Sequence, residues 1–166
     1  MNLKTEERSK ANVKTENKGK LQKIIKKNVD CQERSLVIIK PDGVRKKAVG
    51  NIISRFEKAG LEIERIKVLE MDKTIASIHY REHEGKPYFE RLLDYMTSGP
   101  SIVMIIKGEN AISKARQLMG PTDPAKAPKG TIRGDYGSDI TINVIHGSDC
   151  TENAKKEIDI FFGNYL

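Results

Sequence analysis

Cysteine is scarce in this sequence of 166 residues, where only Cys31 and Cys150 occur. Two cysteines are too few for a disulfide framework, and their spacing does not fit a metal-binding motif. The sequence also has no apolar run of about 18 residues, and its first residues lack the apolar stretch of a secretory signal. We therefore expect a cytoplasmic protein with no membrane-spanning segment and no membrane partner.

The positive charge is unevenly distributed along the chain. Residues 1 to 32 contain nine Lys/Arg and four Asp/Glu, so this segment contributes +5 of the total of +7. It also has too few apolar residues to build a core. We predict a flexible basic extension over residues 1 to 32 and one folded domain over residues 33 to 166, in which nucleic-acid binding is not expected.

Apolar residues recur with strand and helix periods through the predicted domain. A slip in the alternation of the second strand predicts a bulge near Glu64-Arg65. Reduced to its sheet, the order predicts an α+β, ferredoxin-like βαββαβ fold, a four-stranded antiparallel sheet covered by helices. The predicted strands are 35–39, 61–68, 102–106 and 143–146, the predicted helices are 49–59, 73–83, 88–97, 111–119 and 151–162, a tight turn is expected at 41–43, and a long loop follows residue 120.

His146 ends the last predicted strand, immediately before Gly147-Ser148-Asp149. A strand end fixes the backbone and presents the ring at the mouth of a cleft, which suits a nucleophile. An imidazole is largely neutral at cellular pH, so one ring nitrogen can attack phosphorus without an added base. A purely structural histidine is the alternative that this residue alone leaves open.

A histidine nucleophile that transferred a phosphoryl group would also require positive charge around the transferred oxygens. Lys40, Arg116 and Arg133 are candidates, because each follows or adjoins a predicted rigid element. Taken singly, most Lys and Arg side chains are solvated surface charges. The sequence has no Gly-x-x-x-x-Gly-Lys-Ser/Thr motif, which excludes the phosphate-binding loop of the common NTPases.

An ordered set of motifs runs through the predicted domain. The set resembles the defining motifs of nucleoside diphosphate kinases and covers essentially all of residues 33 to 166. Its main members are Ile38-Ile39-Lys40-Pro41-Asp42, Thr131-Ile132-Arg133-Gly134-Asp135 and Asn143-Val144-Ile145-His146-Gly147-Ser148-Asp149, with Glu84-Gly85-Lys86-Pro87, Ser98-Gly99-Pro100 and Gly120-Pro121-Thr122-Asp123-Pro124 between them.

The resemblance implies a role for each matching residue. His146 accepts the γ-phosphate of one nucleotide and passes it to a nucleoside diphosphate, with Mg²⁺ carried mainly by the nucleotide and no metal bound by the protein alone. Tyr80 lies close to the histidine, while Ser148 and Glu157 orient its ring. The implied nucleotide contacts are Arg116, Thr122 and Arg133 with the phosphates, Lys40 and Asn143 with the sugar hydroxyls, and Tyr88, Leu92 and Ile140 with a poorly discriminated base.

The same resemblance implies a homo-oligomer, commonly a hexamer or a tetramer. The sequence departs from the family at Tyr88, where Phe is more frequent, and at Thr141-Ile142, where many members have Gly-Arg. Tyrosine keeps the stacking face, and the missing arginine has no assigned catalytic role.

Two other functions remain open from the residues. His79-Tyr80-Arg81-Glu82-His83 is literally the His-x-x-Glu-His signature of inverted zinc proteases, although no third ligand can be identified. A kinase-like body without activity could instead bind nucleic acid or a membrane through its basic extension, which salt-sensitive binding would reveal.

Deletion of residues 1 to 32 should leave phosphotransfer activity and the melting temperature nearly unchanged, because this segment has little apolar surface to contribute to the core. Activity assays and thermal unfolding of the truncated and full-length proteins test this. A truncated protein that cannot fold or assemble would show that the extension is structural.

Overall fold

The computed structural model describes residues 32 to 163 of the chain, so the predicted extension lies outside the described residues except at Gln32. Among the described residues no helix has the length and apolar character needed to cross a membrane. The strands are β1 (Gln32–Ile39), β2 (Glu62–Leu69), β3 (Ser101–Glu109) and β4 (Ile145–Gly147). The α-helices are α1 (Pro41–Arg45), α2 (Val49–Lys58), α3 (Lys73–His79), α4 (Phe89–Met96), α5 (Ala111–Met119), α6 (Ile132–Tyr136) and α7 (Thr151–Phe162), and Arg81–His83 and Pro124–Lys126 form short 3-10 helices.

The strands form one sheet in the order β2-β3-β1-β4. β4 runs antiparallel to β1, and β2 runs antiparallel to β3. This order, with helices as the connections, is the α+β, ferredoxin-like βαββαβ arrangement, which confirms the predicted fold class. The pairing of β1 with β4 places His146 opposite Ile38.

The apolar sequence of β1 is uninterrupted because both faces of this strand are buried. Val37 and Ile39 pack in a cluster that contains side chains of α2 and α5. Leu36 and Ile38 pack in a second cluster with side chains of α3, α4 and α7. β1 therefore lies between two helical layers, and the residues that follow it are held on a rigid base.

Three local predictions can be compared with the structure. The bulge in β2 is confirmed by a register shift between Ile63 and Arg65. The turn expected at residues 41–43 is instead the start of α1, with Pro41 in the first helical turn, where proline is favourable. The helix expected over residues 73–83 is shorter in the structure, where the α-helix ends at His79.

The long loop expected after residue 120 contains a helix, α6, so this part of the prediction was wrong. Thr131 caps the helix, because its hydroxyl oxygen accepts a hydrogen bond from the backbone of Gly134 at 3.2 Å. Gly134 argued against a helix at this position in the sequence, since glycine is normally unfavourable inside a helix. Its presence has a packing reason, because a Cβ at Gly134 would lie 2.1 Å from the carbonyl oxygen of Pro128.

Gly134→Ala should destabilise the fold by about 1 to 3 kcal/mol, because the new methyl group would displace the backbone at Pro128. Gly50→Ala is the matched control, since Gly50 lies in α2 and a Cβ there meets no atom within 4 Å. The control should keep or raise the melting temperature, because alanine favours a helix. Equal melting temperatures for the two variants would contradict this account of α6.

Candidate active site

A cavity of about 430 Å³ contains nearly all the predicted site residues. They come from segments far apart in the sequence, around β1, β4 and helices α3 to α7. The predicted residues that line the cavity are Lys40, Tyr80, Tyr88, Leu92, Arg116, Thr122, Arg133, Ile140, Asn143, His146 and Glu157. The exception, Ser148, is buried and forms a hydrogen bond with Glu157. The structure thus brings these residues together, while the role of each stays a prediction.

The ring of His146 is held by a chain of hydrogen bonds that begins in the sheet. The backbone N–H of Leu36 donates to the hydroxyl of Ser148 at 3.1 Å. Ser148 donates to Glu157 Oε2 at 2.6 Å, and Glu157 Oε1 lies 3.0 Å from His146 Nε2. An ionised carboxylate can only accept hydrogen bonds, so Nε2 carries the ring proton. Nδ1 therefore keeps its lone pair and is the ring nitrogen that could act as a nucleophile.

Two aromatic side chains from the end of α3 pack around His146. The ring of His79 meets it edge to face with 4.7 Å between centroids, and the ring of Tyr80 lies at 6.2 Å. Burial, followed by the nearby His146, lowers the pKa of His79 well below its usual value, so His79 is neutral at cellular pH. Burial and Glu157 raise the pKa of Tyr80, so its hydroxyl keeps its proton.

The inverted zinc-protease pattern is not supported by this geometry. That pattern needs two histidines one turn apart on a helix, but α3 ends at His79 and His83 lies in the following 3-10 helix. His83 Nδ1 instead lies 3.1 Å from the hydroxyl oxygen of Tyr88. The contact between His79 and His146 was missed in the sequence, because it depends on where α3 ends.

Lys40 is buried at the end of β1 and donates a hydrogen bond to Asn143 Oδ1 at 2.8 Å. The amide nitrogen of Asn143 in turn donates to the carbonyl oxygens of Ile140 at 2.9 Å and Thr122 at 3.2 Å. Burial, with repulsion from Arg133, lowers the pKa of Lys40 to about 7. An anionic ligand would raise this pKa, so the site favours binding of negative charge.

Arg133 has a structural role that the sequence did not indicate. Its guanidinium donates to the carbonyl oxygens of Gly120 at 2.7 Å and Ile145 at 3.0 Å, which joins the end of α5 to β4. Burial, followed by repulsion from Arg116, lowers the pKa of Arg133 to about 10. Closely spaced cations in a cavity attract phosphate oxygens, because the ligand relieves their mutual repulsion.

The backbone between Asn143 and His146 is strained. Val144 has a φ of +73°, which is unfavourable for a β-branched residue, and its carbonyl accepts a hydrogen bond from the Lys40 N–H at 2.7 Å. Gly43 lies against this segment, where a Cβ would come within 2.9 Å of Val144 Cγ1. Such strain costs of order 1 to 3 kcal/mol and is common at functional sites, where packing holds it in place.

Apolar side chains line the outer part of the cavity. Tyr88 and Ile140 are 43% and 63% exposed, whereas Leu92 is buried beneath them in α4. The segment that carries Ile140 is fixed by Asp139, which accepts hydrogen bonds from the backbone of Thr141 and Ile142. Exposed apolar surfaces beside a cluster of cations suit a ligand with a flat ring and phosphates.

A second buried pair was not indicated by the sequence. The hydroxyl of Tyr95 donates to Asp42 Oδ1, and the Lys40 ammonium lies 5.7 Å from the centre of the Tyr95 ring. Burial and this hydrogen bond raise the pKa of Tyr95. The pair lies beside Lys40, and no periodicity in the sequence could have revealed it.

Comparison with known proteins agrees with the fold. The family described as nucleoside diphosphate kinase matches residues 33–165. The nucleoside diphosphate kinase of Pelotomaculum thermopropionicum is 53% identical over 130 residues, which are 78% of this chain and 87% of the relative. That of Pyrococcus furiosus is 52% identical over 133 residues, 78% of this chain and 83% of the relative.

Solved structures give the same result. A crystal structure of the apo nucleoside diphosphate kinase from Encephalitozoon cuniculi has a TM-score of 0.78 and 40% identity, and the match covers 80% of this chain and 90% of that chain. The Aquifex aeolicus nucleoside diphosphate kinase has a TM-score of 0.77 and 37% identity, with 80% and 96% covered. The family match spans almost the whole of the described residues. This chain belongs to the nucleoside diphosphate kinase family.

Proposed function

We propose that the protein transfers the γ-phosphate of a nucleoside triphosphate to a nucleoside diphosphate through a phosphohistidine at His146. The reaction class is that of the family, and its homologues carry the name of this kinase. The observation that carries the residue assignment is the bond between His146 Nε2 and Glu157, which leaves Nδ1 with a lone pair in a cavity lined by cations.

The chemistry then follows in two steps. Nδ1 attacks the γ-phosphorus, the bond from phosphorus to the bridging oxygen breaks, and the nucleoside diphosphate leaves with that oxygen. The phosphorylated ring carries positive charge, which the Glu157 carboxylate stabilises while Nε2 keeps its proton. In the second step a terminal oxygen of another nucleoside diphosphate attacks the phosphorus, the bond between Nδ1 and phosphorus breaks, and His146 regains its lone pair.

The cavity supports one orientation of the nucleotide. We assign the phosphates to Arg116, Thr122 and Arg133, because the two guanidiniums lie close enough to repel each other. We assign the sugar hydroxyls to Lys40 and Asn143, where the ammonium keeps further donors beyond its bond to the amide.

The base is assigned to the outer part of the cavity, where Tyr88 and Ile140 are exposed and Leu92 lies beneath them. A base that is held by its faces is poorly discriminated, because every base has a π-face. Broad nucleotide specificity is therefore the expected consequence.

We propose that Mg²⁺ arrives as part of the nucleotide substrate. Among residues 32 to 163, His79, His146 and Glu157 form the cluster with metal-ligand spacing, and two of its three ligands are imidazoles. Mg²⁺ prefers oxygen ligands and often binds through substrate phosphates. Cytoplasmic localisation is also proposed, and the free thiol of Cys150 fits a reducing compartment.

His146→Ala should abolish both labelling of the protein by γ-labelled ATP and transfer of the label to a nucleoside diphosphate. In the wild-type protein the label should be acid-labile and base-stable, as expected for a phosphate bound to nitrogen. His83→Ala is the control and should still accept label, because His83 contacts Tyr88 rather than the reacting ring. An acid-stable label, or wild-type exchange by His146→Ala, would rule out the assignment.

Lys40→Ala and Arg133→Ala should slow labelling in the same assay by roughly ten- to over a hundredfold, since a charge-assisted contact contributes about 1.5 to 3 kcal/mol. Arg133→Ala should also lower the melting temperature, because Gly120 and Ile145 lose a donor. The Lys40 side chain donates to the side-chain amide of Asn143 and to no backbone carbonyl oxygen, so Lys40→Ala should lower the melting temperature less than Arg133→Ala.

Turnover of ADP, GDP, CDP and UDP should agree within about two orders of magnitude, the range given by one or two apolar contacts. The base meets the faces of Tyr88 and Ile140, whereas the sugar meets polar groups. Steady-state rates with each diphosphate test this prediction. A protein that accepts one base and is inert toward the others would contradict the assigned slot.

We further propose a homo-oligomer, a hexamer or a tetramer, in which β2 lies at a subunit contact. β2 is an edge strand, and its Ile66 and Val68 are 52% and 69% exposed. Ile66 lies opposite Met104 and Val68 lies opposite Ile102, and both of these β3 residues are buried. Ile66 and Val68 therefore continue the apolar face of the sheet into a part that stays exposed. Exposed apolar edge strands favour pairing with another chain.

A double variant with Ile66→Lys and Val68→Lys should reduce the molar mass measured by light scattering, because charge at the edge opposes burial. Ile78→Lys is the control, since Ile78 is also exposed, at 42%, but lies on α3. The wild-type and control proteins should remain oligomeric. A monomeric wild-type protein, or an unchanged mass in the double variant, would contradict the proposed contact.

A further inference from the structure

Three potential metal ligands converge beside the proposed nucleophile. His79, His146 and Glu157 each offer one ligand atom, and these atoms all lie within 4.8 Å of one another. Both ring nitrogens of His79 are buried and have no hydrogen-bond partner. Buried polar atoms without a partner are uncommon and call for an explanation.

We propose that His79, His146 and Glu157 bind a divalent transition-metal ion, with Zn²⁺ as the best match, and that this ion inhibits phosphotransfer. Two imidazoles and one carboxylate form a ligand set that Zn²⁺ takes at sites with an open fourth position. Imidazole ligands disfavour Mg²⁺, so this ion is distinct from the one carried by the nucleotide.

The geometry needs only a small contraction. Bonds of about 2.0 to 2.1 Å to a tetrahedral ion place ligand atoms roughly 3.3 to 3.4 Å apart. His146 Nε2 and Glu157 Oε1 are already 3.0 Å apart, while the widest separation in the cluster must shorten by about 1 to 1.5 Å. His79 is the last residue of α3, so its ring can shift without breaking the helix interior.

The state of each ligand also suits a metal. Both ring nitrogens of His79 are buried without a hydrogen-bond partner, so the ion breaks no existing hydrogen bond there. Ser148 holds the second oxygen of Glu157 at 2.6 Å and can keep the carboxylate oriented. His79 has no acceptor for its remaining N–H, and a missing partner of this kind weakens a site by about 10- to 100-fold. The site is thus suited to reversible binding.

Inhibition follows from the position of one proton. In the metal-free ring Nε2 carries the proton and Nδ1 carries the lone pair that attacks phosphorus. An ion bound to Nε2 takes the lone pair of that nitrogen, so the proton of the neutral ring must move to Nδ1. Nδ1 then has no lone pair, and His146 cannot attack. Metal binding does not depend on the proposed kinase function, whereas this inhibitory effect does.

Metal binding is tested first, on the full chain without nucleotide. Co²⁺ replaces Zn²⁺ as a visible probe, and titration should give the strong absorption of a tetrahedral ion, which Zn²⁺ then displaces. His79→Phe should bind Co²⁺ with at least tenfold lower affinity. Its aromatic ring should still pack against Tyr80, His146 and Phe161. His83→Phe is the matched control and should keep the signal. Unchanged Co²⁺ binding in His79→Phe, or no binding by the wild-type protein, would overturn the site.

Inhibition is tested by labelling with γ-labelled ATP and excess Mg²⁺ at buffered Zn²⁺ concentrations. Each protein is compared with its own zinc-free rate. Zn²⁺ should slow labelling of the wild-type and His83→Phe proteins at least tenfold, but not that of His79→Phe. Equal sensitivity of His79→Phe would overturn the inhibitory role. If the wild-type protein binds Co²⁺ but never acquires label, the proposed metal site is supported and the proposed kinase function is refuted.

Discussion

The carboxylate of Glu157 decides which nitrogen of His146 can react. It accepts from Nε2 on one oxygen and from Ser148 on the other, and Ser148 is fixed in turn by the backbone of Leu36. Three elements, β1, β4 and α7, must therefore be aligned to within a fraction of an ångström for Nδ1 to keep its lone pair. The buried side chain of Ile158 anchors α7 in the core one residue after Glu157. Core packing and the tautomer of the proposed nucleophile are thus linked.

The cavity retains interactions that oppose folding. Lys40 is buried and Arg133 is largely desolvated, while Val144 has a strained backbone. The folded-state pKa of Lys40, about 7, lies below its unfolded value of 10.5. This destabilisation is therefore complete below about pH 7 and disappears as pH rises toward 10.5. A nucleotide phosphate would reverse part of this cost, so binding energy and stability are coupled at this site.

The sequence predicted the long elements and the β2 bulge, because their apolar residues repeat often enough to define a period. It missed α1 and α6, which span five residues each and are too short to show one. Most candidate site residues came from the family resemblance, since Ser148 and Glu157 meet only through tertiary packing. The bonds of Arg133 to Gly120 and Ile145, and the position of His79, depend on where helices end. Such endpoints are set by the packing of the whole domain.

In the two proposals, phosphorylation and metal binding use different nitrogens of His146 and place the ring proton on opposite nitrogens. A phosphate on Nδ1 leaves the proton on Nε2, which donates it in the hydrogen bond to Glu157, so a metal ion must first displace this proton. An ion on Nε2 leaves the proton on Nδ1, so no lone pair is available to phosphorus. The two states therefore compete without any steric conflict. The phosphorylated protein should bind Zn²⁺ more weakly, and inhibition should fall as the proportion of phosphohistidine in the working enzyme increases.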